Sequence, residues 1–104
     1  MGVGDSPFDL MVQEAVDEAL SILGDGAKKA IYYYVEVNYG LRKEDIPKNL
    51  KKFHEALKLL FGVGTYALER HISHCVEERF KVKLPKDEDL DLAEFVDKVK
   101  ALLK

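Results

Sequence analysis

Apolar side chains recur at three- and four-residue intervals through five stretches of the chain, and no stretch sustains the strict alternation of a half-buried strand. From Phe8 to Leu23 the residues Phe8, Val12, Ala15, Val16, Ala19, Leu20 and Leu23 form one stripe, with Asp9, Gln13, Glu14, Asp17, Glu18 and Ser21 on the other side. Ser6 followed by Pro7 reads as an N-cap and a first helical position. A second helix, from about Ala27 to Tyr39, is apolar over more than half its circumference. Ala27, Ala30, Ile31 and Tyr34 make one stripe, and Tyr32, Val35 and Tyr39 an adjacent one. That breadth predicts the centre of the domain, with Asp25 capping the start and Gly40 stopping the end.

Arg42 to Pro47 is a polar connection in which Pro47 pushes Ile46 toward extended geometry and Ile46 tucks inward. Asn49 then caps a third helix carrying Leu50, Phe53, Leu57, Leu60 and Phe61. A fourth, from about Thr65 to Lys81, turns Thr65, Leu68, Ile72, Cys75, Val76 and Phe80 inward. The fifth has the sharpest start in the chain. Asp91 and Glu94 make a capping box, Leu90 and Phe95 sit at the staple positions, and Leu92, Phe95, Val96, Val99, Leu102 and Leu103 form the stripe. Lys81-Val82-Lys83-Leu84 is the single strand-like run, and one strand has nothing to pair with. The expectation is an all-α, compact five-helix domain spanning residues 1–104, made of two helical hairpins and a C-terminal amphipathic helix.

The hairpins are marked by two similar phrases, Leu23-Gly24-Asp25-Gly26-Ala27 and Phe61-Gly62-Val63-Gly64-Thr65. In each, one Gly takes the left-handed slot past a helix end and a second lets the chain reverse. A phosphate-cradling loop needs a strand before its glycines and a third Gly or a Gly-Lys-Ser/Thr after them, and neither phrase has these.

Composition adds a compartment and a habitat. One Cys, Cys75, allows no internal disulfide and favours a reducing cytoplasm. The start lacks the basic and apolar regions of a signal peptide, and the run from Ile31 to Val35 is too short to span a bilayer, so no membrane association is expected. Met1-Gly2-x-x-x-Ser6 fits the loose myristoylation pattern, but Ser6-Pro7 is better used as a helix start. A Lys- and Glu-rich balance, with Gln13, Asn38 and Asn49 the only side-chain amides, resembles thermophile usage.

Candidate chemistry is sparse. His71, His74, Cys75 and Glu78 stand at i, i+3, i+4 and i+7 on the fourth helix, so His71, His74 and Glu78 are the candidate metal ligands. Cys75 shares its stripe with Leu68 and Ile72 and reads as a buried small hydrophobe. No oxyanion-stabilising loop accompanies it, paired carboxylates sit on polar faces, and neither catalysis nor a cofactor is expected. The net charge of −3 hides an uneven distribution. Residues 1–26 carry six acids and no base, whereas Lys43, Lys48, Lys51, Lys52 and Lys58 crowd the middle and are the candidate nucleic-acid contacts. A pI near 5.6 and the interspersed acids speak against that role. Tyr32, Tyr33 and Tyr34 are consecutive and cannot all enter the core. Tyr33 shares a face with Lys29 and Glu36, and Leu59 lies on the polar side of the third helix, so both are candidate partner contacts.

Leu23-Gly24, Lys29-Ala30-Ile31-Tyr32, Tyr39-Gly40-Leu41, Asp45-Ile46-Pro47, Phe53, Ala56-Leu57 and Phe61-Gly62-x-Gly64 together resemble a small archaeal helical domain of unestablished function. That domain stands alone or as the output module of archaeal signalling proteins. The likeness runs from Leu20 to about Phe80 and supplies no catalytic or binding residue. It implies an archaeal cytoplasmic protein and raises the expectation of protein–protein contact. The function expected is therefore a non-enzymatic interaction module, self-associating or binding another protein. Metal or small-ligand binding and nucleic-acid binding are the alternatives.

Overall fold

A computed structural model describes residues 6–84 and 91–103 as five helices: α1 (Pro7–Ser21), α2 (Asp25–Tyr39), α3 (Leu50–Phe61), α4 (Thr65–Phe80) and α5 (Leu92–Leu102). Short 3-10 helices, Lys43–Lys48 and Gly62–Gly64, fill two of the connections, and no strand occurs among the described residues. The fold is all-α.

The core is built on α1 and α4, the most extensively packed pair. Ala15 and Ala19 are fully buried on α1, and side chains that small suit a close helix pair, with Val12, Val16 and Leu20 in one buried cluster with Ile72, Cys75 and Val76 of α4. The helices run antiparallel. Phe8 at the start of α1 lies 4.9 Å, ring to ring, from Phe80 at the end of α4, and Arg79 reaches Glu14 and Glu18 at 3.3 and 3.1 Å. From α5, Leu92, Val96 and Val99 enter the same core, and Lys100 lies over the Phe8 ring at 5.6 Å.

Helix starts follow their sequence signals where a side chain can reach the free amides. The Ser6 hydroxyl accepts from Asp9 N–H at 3.1 Å, and Asp91 and Glu94 exchange both bonds of the expected capping box. Leu90, the other staple position, lies outside the described residues. Asn49 flanks α3 as expected but does not cap it by its side chain, which donates instead to the Asp45 carbonyl at 2.9 Å. Asp25 is the first residue of α2 and not its cap. Gly24 precedes it at φ 96° and ψ 153°, and Asp25 offsets the helix dipole from the first turn.

Four further expectations need correction. α2 is not the centre: only Ile31 and Val35 are buried on it, and Ala27 and Ala30 are exposed, because α2 meets α1 and α3 far less extensively than α1 and α4 meet each other. Ile46 does tuck inward, but within a 3-10 helix that also buries Pro47, not as an extended residue. The second glycine of each phrase is not the reversing one. Gly24 and Gly62 hold the positive φ, whereas Gly26 is already helical and Gly64 sits at φ −67°. Finally, Leu23, Leu60, Phe61, Leu102 and Leu103 are on the expected stripes yet exposed, since each stripe outruns the helix packed against it.

Candidate functional site

The two hairpins are fastened in different ways. Between α1 and α2, Asp17 accepts from Lys28 Nζ at 3.1 Å and from the Tyr32 hydroxyl at 3.0 Å, and Lys43 Nζ approaches the same carboxylate at 3.1 Å. Lys43 also stands 5.3 Å over the Tyr32 ring. Burial works to raise the Asp17 carboxyl, but the bonds from Lys43, Lys28 and Tyr32 together outweigh it and hold the group below its ordinary value. The Tyr32 phenol is pushed well up, first by burial and then by the facing Asp17 charge.

Between α3 and α4 one polar contact is buried and the other half-buried. The Thr65 hydroxyl donates to the Leu57 carbonyl at 3.1 Å, and His54 Nδ1 lies 2.6 Å from Glu69 Oε2. Glu69 is only 8% exposed. Burial raises its carboxyl, His54 opposes that, and the nearby Asp91 charge adds to it. His54 is the third histidine of the chain, and nothing in the local sequence pattern gives it a partner. Its partner stands fifteen residues away on the next helix, and only the hairpin register, with Thr65 opposite Leu57, brings them together.

At the end of the same hairpin the chain leaves apolar side chains uncovered. Leu59, Val63 and Tyr66 are 70%, 91% and 71% exposed, and Leu60 and Phe61 between them are also open. Five large apolar residues exposed within eight positions, spanning the last turn of α3, the Gly62–Gly64 link and the first turn of α4, make this end of the hairpin an apolar knob. Isolated exposed hydrophobics are ordinary, but a contiguous group marks an interaction surface. Leu59, a predicted contact, belongs to this knob. Tyr33 is 71% exposed as expected, but it stands on α2 beside Val37, apart from the knob in sequence and on the other hairpin.

Comparison of the chain with family models, curated proteins and solved structures gave no match. Of what the sequence resemblance implies, the small all-helical fold is present.

The remaining predicted site residues are not drawn together. His74 Nε2 lies 3.3 Å from Glu78 Oε2 with both side chains exposed, and His71 takes part in no ion pair among the described residues. No group of three or more His, Cys, Asp or Glu able to hold a metal occurs among the described residues. Cys75 is buried, as its stripe predicted, and burial raises its thiol, helped by Glu18 and Glu78 against Arg79. The basic set divides. Lys43 is drawn into the Asp17 cluster, while on α3 Lys52 points about 100° away from Lys51 around the helix. A shallow, open depression of about 280 Å³ is lined by Gln13, Glu14, Asp17, Glu18, Lys43 and Arg79, whose charges are largely paired with one another. No helix of the described residues is long and apolar enough to cross a membrane.

Proposed function

We propose that the protein is a non-enzymatic interaction module that associates with a second copy of itself through the apolar knob at the α3–α4 turn. The observation that carries this is the uncovered run Leu59, Leu60, Phe61, Val63 and Tyr66, a denser group than the exposed pairs Ile22/Leu23, Tyr33/Val37 and Leu102/Leu103 elsewhere on the domain. Phe61 and Tyr66 are the aromatic anchors such a contact needs, and Lys58 and Glu55 provide a charged rim of both signs. An identical copy always presents the same apolar group, so a two-fold contact covers both knobs at once. In this reading the chain is an archaeal cytoplasmic protein serving signalling output, which the Lys- and Glu-rich composition and the sequence resemblance support.

Sedimentation of the wild type against Val63→Asp tests the proposal. Val63 is almost fully exposed, so its replacement leaves the fold intact. A concentration-dependent dimer in the wild type, abolished in the variant, is expected. A wild type that stays monomeric up to its solubility limit would overturn the reading.

A further inference from the structure

His54 has one ring nitrogen held and the other open. Nδ1 is fixed at 2.6 Å from the Glu69 carboxylate, which is itself seated in the α3–α4 interface. Nε2 has no partner among the described residues, and it is not among their sealed-off polar atoms, so it meets solvent on the half-buried edge of α3. A carboxylate on one imidazole nitrogen sets the tautomer: the proton stays on Nδ1, and the lone pair is presented by Nε2. Lys51 and Lys58 stand three residues before and four after His54, the helical spacing that places all three on one flank of α3, and both are exposed. Neither forms an ion pair among the described residues. The other charge shown to bear on the pair is Asp91 at the start of α5, while Glu55 follows His54 on α3 and Arg70 follows Glu69 on α4.

From this arrangement we infer that His54 is a phosphoryl-accepting histidine, modified at Nε2 by a small donor with an activated phosphoryl group, of the phosphoramidate or acyl-phosphate class. The Nε2 lone pair attacks phosphorus, a P–N bond forms, and the donor's bond to phosphorus breaks with its electron pair leaving on the donor. From phosphoramidate the leaving group is ammonia. The ring gains positive character as Nε2 gives up its lone pair, and the Glu69 carboxylate opposes that charge through the Nδ1 proton it already holds. Lys51 and Lys58 face the three phosphoryl oxygens, and cations so placed both draw the anionic donor in and stabilise the product.

General-base catalysis would use the same pair but needs a cleft to hold a substrate, and the depression lined by Gln13, Glu14, Asp17, Glu18, Lys43 and Arg79 does not include His54 or Glu69. A metal would need further ligands, which the described residues do not gather here. Phosphoryl acceptance requires only the open nitrogen, its orienting carboxylate and the flanking cations. The other two histidines lack the arrangement: His74 Nε2 is turned to Glu78, and His71 has no carboxylate partner among the described residues.

The test is to incubate the full chain with potassium phosphoramidate at mildly alkaline pH, locating the adduct by peptide mapping and its nitrogen by phosphorus NMR. The expected result is an acid-labile phosphoryl group on Nε2 of His54, formed about tenfold faster than on His71 or His74, with the preference lost in urea. Glu69→Gln keeps an acceptor for Nδ1–H but no charge, and slows His54 modification about tenfold with the helical circular dichroism unchanged. Paired Lys51→Gln and Lys58→Gln changes slow it several-fold, and more at low salt than at high. Should Glu69→Gln unfold the chain, the wild-type preference and the lysine pair still decide. Equal rates at the three histidines, reaction at Nδ1, or a folded Glu69→Gln chain modified at the wild-type rate would each overturn the inference.

Discussion

Two hairpins with nearly the same turn phrase are held by opposite means. α1 and α2 are pinned at their surface, through a carboxylate that gathers two lysines and a tyrosine, and α2 contributes only Ile31 and Val35 to the core. α3 and α4 are pinned from within, through Thr65 on the Leu57 carbonyl and His54 on Glu69, with Phe53, Ala56 and Leu57 fully buried beside them. The first hairpin thus has its polar ties near the surface, and it too leaves apolar side chains exposed, Ile22 and Leu23 at its turn and Tyr33 and Val37 on α2, though in smaller groups. The second has a well-satisfied interior and leaves its apolar end in water. A Gly-x-Gly reversal fixes how a chain turns back, but the residues one and two turns away decide whether the hairpin becomes scaffold or surface.

The sharpest way to break the contrast is in the core. Phe53→Ala empties a fully buried site in α3 and is expected to cost about 3–5 kcal/mol by urea unfolding. The turn comes next. Gly62 sits at φ 56° and ψ −128°, a region closed to side chains, so Gly62→Ala costs roughly 1–3 kcal/mol. Gly64 is in ordinary helical geometry with only an unstrained approach of 3.8 Å to Phe61 Cβ, so Gly64→Ala stays within about 0.5 kcal/mol.

At the surface of the first hairpin, Asp17→Asn removes the charge that Lys28 and Lys43 share and is expected to cost on the order of 1–2 kcal/mol. Amide exchange should speed up in α2 more than in α3. The Asp17 carboxyl is held below its ordinary 3.8, so its contribution is complete above that value and is lost as the pH falls toward the lowered folded one. Asp17→Asn should therefore lessen the acid sensitivity of the wild type.

Glu69 gives the smallest effect and the opposite sign. Its carboxyl is raised above the ordinary 4.5 by burial, so the stability it contributes is present below that value and declines as the pH rises through the raised one. Urea unfolding across that window should show the wild type losing ground to Glu69→Gln as the pH increases. A difference that grows in the other direction would mean that the pair with His54 outweighs burial.

Much of the scaffold is legible in the sequence because helix signals are local. The Ser6-Pro7 start, the Asp91/Glu94 box, and the buried stripes of α1 and α4 all follow from spacing within a few residues. What is not legible depends on which helix meets which. α2 has the broadest apolar circumference yet lies outside the α1–α4 pair, whose Ala15 and Ala19 allow a closeness that a count of apolar residues does not convey. Tyr33 and Leu59 are correctly outward, but the knob around Leu59 is invisible to periodicity, because Leu60 and Phe61 sit on the core stripe and are left uncovered by the helix ending at Gly62. The His54–Glu69 pair joins different helices, and no spacing rule connects them.

The central claim, that the uncovered end of the second hairpin is the working surface, is tested most directly by amide NMR of the full chain on dilution. The account predicts concentration-dependent shifts confined to residues from Leu59 to Tyr66 and their immediate neighbours. Shifts centred on Tyr33 and Val37 of α2, or none at any concentration, would contradict it.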